Sequence, residues 1–185
     1  IRYALRQRRK IVIHVHGGLF LTAPCIPDSL KRIMRWVFHQ DVPFIALSDM
    51  ENDILQKRFG AKSVIVLPNC VDLTDAAAFA EEFAARDETE PLRIGYLGRI
   101  EPNKGMTELL TACRQLKNDC VPFTLVIAGK EQTEGEYLPE FHNGLGENFE
   151  YAGLVSGKRK IDFLRSLDVF VLPSYFEGLP MSLLE

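Results

Sequence analysis

The chain has 185 residues, 46% of them hydrophobic and 25% charged, with a net charge of −3. That is a soluble globular composition, enough for one large domain or two small ones. No apolar run approaches the roughly 18 residues of a membrane-crossing helix, and the opening at Ile1 reads as a missing native N-terminus. Cys25, Cys70, Cys113 and Cys120 form no C-x-x-C and lie near no His at zinc-ligand spacing. They read as reduced, mostly buried thiols, which suits a cytosolic setting. Residues 1–40 hold eight Lys or Arg and one acid, Asp28, while the remainder holds fourteen basic and 24 acidic residues. Such asymmetry fits an anionic surface near the first segment, or an ordinary solvated face.

Short apolar, β-branched segments alternate with helical patterns along the chain. "KIVIHVHGG" is a strand entering a glycine turn, and "DSLKRIMRWVFHQ" a helix capped by Asp28 or Ser29. "PFIALS" is a strand. "DMENDILQKRFG" is a helix with acids in its first turn and Gly60 at its end, and "SVIVLPN" is a strand stopped by Pro68. Residues 72–90 turn Ala- and acid-rich, as an interdomain helix fraying into a linker would. The alternation then restarts with "LRIGYLG" (strand), "KGMTELLTACRQLK" (helix) and "FTLVIAG" (strand). "EGEYLPEFHNGLG" (irregular helix), "NFEYAG" (strand), "SGKRKIDFLRSL" (helix) and "DVFVLPS" (strand) follow, and a last helix begins near Met181. Nearly every strand is a continuous apolar run, so the sheets should be parallel with helices on both faces. The expected fold is α/β, with two Rossmann-like doubly wound domains. The first spans 1–72 and the second 91–185, joined by 73–90.

In such sheets ligands bind beyond the carboxyl ends of the strands. One of those ends reads "IGYLGRIEPNKGMTELL". It has neither Walker A nor G-x-G-x-x-G spacing. It offers a glycine turn at Gly98, two cations, Arg99 and Lys104, and a helix start. Such a set suits a diphosphate, or it is a pair of surface cations beside a turn. Another end reads "PSYFEGLPMSLLE". A retaining glycosidase needs its carboxyls about 5–5.5 Å apart. Glu185 lies five residues past Pro180, roughly 7 Å along a helix axis. Glu177 and Glu185 therefore fit two parts of one long ligand better, or they are helix-start acids favoured by the dipole.

Together these segments resemble the retaining glycosyltransferases of the GT-B fold, especially family 4. "PSYFEGLPMSLLE" is similar to their E-x7-E signature, and "YLGRIEPNKGMTELL" to their G-R-x(4)-K-G phosphate segment. "VIVLPNCVD" resembles their P-N-G-V-D interdomain motif, with Cys70 in place of Gly. "VHGG" resembles the strand end that carries their active-site histidine, and "FIALSD" a strand-to-helix step with a capping Ser. The chain is about half the family's usual length. By resemblance it is a fragment, inactive alone, with an incomplete N-terminal and a truncated C-terminal domain. The resemblance implies a nucleotide-diphosphate sugar donor and a glycan or lipid-linked acceptor. Arg99 and Lys104, with Gly98, would hold the diphosphate without a metal or other cofactor. Glu185 would take the ribose, and Glu177, Gly178 and Leu179 the sugar. His16 would contact the sugar, and His14 would be structural. Transfer would retain anomeric configuration. A related epimerase and a non-catalytic nucleotide-sugar binder are the alternatives. No nucleic acid partner is expected. The basic segment 29–38 would touch an anionic membrane at its inner, cytoplasmic face, or pack its apolar face on the sheet.

Overall fold

The computed structural model describes residues 1–16, 18–23, 25–71 and 90–185. The expected helix and linker at 73–90 therefore lie, except for Glu90, outside the described residues. By contacts the chain divides into two compact units. One is Ile1–Asp72 with Phe176–Glu185, and the other is Leu73–Tyr175.

The first unit is built on a parallel sheet in the order β1-β2-β3. Its strands are β1 (Ile13–His14), β2 (Phe44–Ala46) and β3 (Val64–Val66). Register pairs Ile13 with Phe44 and Phe44 with Val64. Phe44, Ala46, Phe38, Leu55 and Phe59 close the core. The Phe38 ring sits 5.0 Å from Phe59 and 5.2 Å from Phe44, spacings at which aromatic pairs attract beyond their burial. Helix α1 (Arg2–Arg6) precedes β1, and α2 (Asp28–Phe38) links β1 to β2. The N-cap of α2 is Pro27, which offers no side-chain bond, rather than Asp28 or Ser29. Asp28 instead pairs with Lys31 at 3.2 Å. Helix α3 (Asp49–Lys57) is capped by Ser48, whose Oγ accepts from the Glu51 N–H at 3.3 Å. The C-cap of α3 is Arg58 rather than the expected Gly60, which lies two residues further on at φ +74° and donates to the Gln56 carbonyl at 3.1 Å.

The second unit holds a parallel sheet in the order β6-β5-β4-β7. Its strands are β4 (Leu92–Leu97), β5 (Phe123–Ala128), β6 (Phe149–Gly153) and β7 (Val169–Phe170). Phe123, Leu125 and Ile127 point to the face shared with α4 (Met106–Asn118) and α5 (Leu138–Leu145). Val126 and Ala128 point to the other face, against Phe163 of α6 (Lys158–Arg165). Strand β5 thus has no polar face because both faces are covered. Helix α5 is introduced by Glu131, whose carboxylate accepts from the Gly135, Tyr137 and Leu138 N–H groups. Desolvation alone would raise its pKa, but these three bonds outweigh it and hold the carboxyl below its ordinary value. Its stabilising effect is therefore full above the ordinary carboxylate pKa and fades as pH falls through the lowered one.

The last ten residues differ from the expected boundary at 91–185, because they pack with the first unit. Phe176 lies against that unit's core, and α7 (Met181–Leu184) follows. The cysteines differ too. Cys113 is buried, and burial pushes its thiol up to about 11. Cys25, Cys70 and Cys120 are free and exposed.

Candidate functional site at the strand ends

In the second sheet the strand order reverses between β4 and β7. A crevice forms at such a switch point beyond the carboxyl ends of the strands. Gly98 follows β4 there. A Cβ on it would lie 2.7 Å from the Tyr96 hydroxyl, which donates to the Arg99 carbonyl at 2.7 Å. Glycine thus lets a buried tyrosine set the position of the Arg99 backbone. The Arg99 guanidinium projects outward, with 62% of its side chain exposed, and pairs with Glu101 at 3.2 Å. Lys104 is half-buried. It lies not on α4 but on a 3-10 turn, Pro102–Lys104, that precedes it. Gly105 then takes φ +70°, and a Cβ there would lie 2.2 Å from the Pro173 carbonyl oxygen. Gly105 is both the C-cap of that turn and the N-cap of α4. Tyr175 N–H donates to the Asn103 carbonyl at 3.1 Å, and its hydroxyl to Glu108. That bond holds Glu108 below, and Tyr175 above, their ordinary pKa values. Ser174 Oγ is buried here with no hydrogen-bond partner among the described residues. Gly98, Arg99, Lys104 and Ser174 therefore belong to one strand-end region.

The other expected residues lie in the first unit. His16 follows β1 and is exposed, its ring 4.0 Å from that of His14, which is exposed as well. Glu177, Gly178 and Leu179 are half-buried, and Glu185 is exposed beyond α7. Asn69, just past β3, donates through Nδ2 to the Leu179 carbonyl at 2.9 Å. Glu51 is wholly buried, and its Oε2 accepts from the Leu47 N–H at 2.8 Å. Among the described residues no group of three or more His, Cys, Asp or Glu is placed to hold a metal ion.

Residues 79–185 match the family described as Glycosyl transferases group 1. The chain belongs to that family. Among relatives of this group 1 chain, EpsF of Bacillus subtilis (strain 168), itself named provisionally as a glycosyltransferase, is 34% identical over 136 residues. That match covers 70% of this chain and 35% of EpsF. Glycogen synthase of Mycobacterium tuberculosis is 28% identical over 162 residues, covering 85% of this chain and 38% of the synthase. The matched segments thus span well under half the length of either relative. Its fold matches that of a mutant of S. aureus TarM solved with Fondaparinux, alpha-GlcNAc-glycerol and UDP. The TM-score is 0.68 at 16% identity, over 94% of this chain and 34% of TarM. The α/β fold with parallel sheets is GT-B-like, as expected.

Sequence reading of the group 1 chain gave no role to three polar residues: Ser174, Asn69 and Glu51. Ser174 was visible only as a strand-end residue. Asn69 was visible only as part of the Pro68-Asn69 step. Glu51 did carry a signal, since Ser48-x-x-Glu51 is a capping box. That pattern points its carboxylate back at the Ser48 N–H, whereas the structure gives it to Leu47.

Proposed function

We propose that this chain carries the donor half-site of a retaining glycosyltransferase, which moves a sugar from a nucleotide-diphosphate sugar to a glycan or lipid-linked acceptor. The observation that carries the reading is the Gly98-Arg99 turn with Lys104 at the reversal of strand order. Arg99 and Lys104 take the diphosphate and neutralise charge as it leaves, a role that needs no metal ion. Glu185 takes ribose hydroxyls. Glu177, with the Gly178 and Leu179 backbone, takes sugar hydroxyls, and His16 adds a further sugar contact. Retention follows if the acceptor oxygen attacks the anomeric carbon on the face the diphosphate leaves, while a leaving phosphate oxygen accepts the acceptor's proton. The relatives are named for transfer and polymer synthesis, which favours transfer over epimerisation, and polysaccharide, glycolipid or cell-surface glycan synthesis as the setting. Thermal shift of the whole protein against UDP-glucose, GDP-mannose and ADP-glucose tests the donor class. His16→Ala should then lower turnover at least tenfold while changing nucleoside-diphosphate affinity little. Equal losses in both would give His16 a structural role.

We also propose a cytoplasmic protein that touches an anionic membrane through residues 29–38. The apolar side of α2 is divided. Met34, Val37 and Phe38 enter the core, while Leu30 and Ile33 stay exposed beside Lys31, Arg32 and Arg35. Arg2 lies 4.9 Å over the Trp36 ring, which brings basic α1 against the same helix. Among the described residues no helix is long and apolar enough to cross a membrane. The protein should co-sediment with vesicles containing phosphatidylglycerol and not with pure phosphatidylcholine. Ile33→Ser with Arg32→Ser should abolish the difference, and equal sedimentation with both vesicles would exclude the contact.

A further inference from the structure

Two side chains of the first unit converge on the loop that carries Glu177, and the reading above gives neither a role. Asn69 Nδ2 donates to the Leu179 carbonyl at 2.9 Å. That carbonyl belongs to the Leu179–Pro180 peptide, which has no N–H because proline supplies the nitrogen. Its oxygen is the peptide's one hydrogen-bonding handle, and Asn69 holds it. Glu51 approaches from α3. Its Oε2 is fixed by the Leu47 N–H, and its Oε1 is buried with no hydrogen-bond partner among the described residues. Oε1 faces Gly178. A Cβ there would lie 2.4 Å from Oε1, 3.2 Å from Cδ and 3.4 Å from a Leu47 methyl. Gly178 is not among the positive-φ residues, so it is glycine for space and not for conformation.

A buried carboxylate oxygen without a partner is costly. An apolar residue would fill the same volume without that cost. The arrangement makes sense if a rigid, polar wall beneath Gly178 is what the loop requires. Asn69 supplies the second fixed point one residue further on.

We propose that Glu51 and Asn69 are positioning residues for the donor sugar, holding the Gly178–Pro180 backbone where it and Glu177 meet the sugar hydroxyls. The proposal rests on the glycosyl-transfer reading and extends it to two residues outside the E-x7-E segment. It separates recognition of the sugar from recognition of the nucleotide. The loop held by Asn69 and Glu51 governs the sugar, while Arg99 and Lys104 govern the diphosphate.

The test is calorimetric titration of the whole protein with three pairs: UDP and UDP-glucose, GDP and GDP-mannose, ADP and ADP-glucose. For the pair that binds, Asn69→Ala should raise the dissociation constant of the nucleotide sugar about three- to tenfold and leave that of the nucleoside diphosphate unchanged. A general structural defect would raise both. Gly178→Ala should raise the nucleotide-sugar constant about tenfold by meeting Oε1, and Glu51→Asp, one methylene shorter, should recover most of that loss when combined with it. The aspartate keeps the carboxyl group and removes only one methylene, so this comparison does not depend on Glu51→Ala folding. Variants with the parent's ratio of the two constants, or strictly additive losses in the Gly178–Glu51 pair, overturn the proposal while the functional reading stands. A parent that binds none of the nucleotide sugars overturns both.

Discussion

Replacing Arg99 with alanine should weaken nucleoside-diphosphate binding by about ten- to a hundredfold, the loss of one charge-assisted hydrogen-bonding group at 1.5–3 kcal/mol. The variant should fold normally. The Arg99–Glu101 pair is largely exposed on the arginine side, and such pairs contribute little to stability. The same pair makes the effect on binding larger than for Lys104→Ala. Without Arg99, the mostly buried Glu101 carboxylate is left unneutralised beside the incoming anion and repels it. Glu101→Gln should act in the opposite direction and tighten diphosphate binding, because it releases Arg99 from a competing carboxylate. Nucleoside without phosphates should bind all three variants as it binds the parent. Glu185→Ala should weaken nucleoside and diphosphate alike, since ribose is its proposed target. Calorimetry on the whole protein separates these patterns. Diphosphate binding that survives both Arg99→Ala and Lys104→Ala would remove the phosphate assignment and, with it, the main support for the mechanism.

Gly129→Ala should be among the most damaging single substitutions in the second unit. Gly129 follows β5 at φ +142°, and a Cβ there would lie 1.7 Å from the Gly98 carbonyl oxygen and 2.8 Å from its carbon. Both obstacles are backbone, so no rotamer change relieves them. Gly129 is also fixed on its other sides. Its N–H donates to Gly153 at 2.9 Å, and its carbonyl accepts from the Tyr151 hydroxyl at 2.7 Å. Relief must come by parting β4 from β5, which disrupts the core they share. The expected loss is roughly 3 kcal/mol or more, which lowers the melting temperature by roughly 6–12 °C in a chain of this size. Gly135 is the control. Its φ is +78°, but a Cβ there meets nothing within 4 Å. Gly135→Ala should cost only about 1–2 kcal/mol, the conformational penalty alone. Equal melting temperatures for the two variants would mean that the strand ends do not approach as described.

What could be read in advance follows from where each residue finds its partners. Strand β5 was legible because "FTLVIA" is apolar at every position but one, and only two covered faces explain that. The Ser48 cap was legible because it bonds within four residues of itself. Lys104 was placed at a helix start because "KGMTELL" is helical by pattern. It instead ends a 3-10 turn one residue before the N-cap, Gly105, where the Pro173 carbonyl sixty-eight residues on leaves no room for a Cβ. The closing segment was assigned to the second sheet because it follows β7 directly. Its partners are Asn69 and the first unit's core, both distant in sequence. Glu51 was the hardest to see, since a capping box accounts for a local partner, which Glu51 has in Leu47, and says nothing of a glycine 127 residues later that faces its other oxygen.

The distribution of thiols has a practical use. Cys113 is buried and its thiol is pushed up to about 11, so it stays protonated near neutral pH and reacts slowly with maleimides, which require thiolate. Cys25 and Cys70 are exposed in the first unit, and Cys120 in the second. Replacing Cys70 with serine leaves this chain one reactive handle in each unit, so a pair of fluorophores can be attached without adding a cysteine. Energy transfer between them would then report any change in separation of the two units as a donor nucleotide is titrated in.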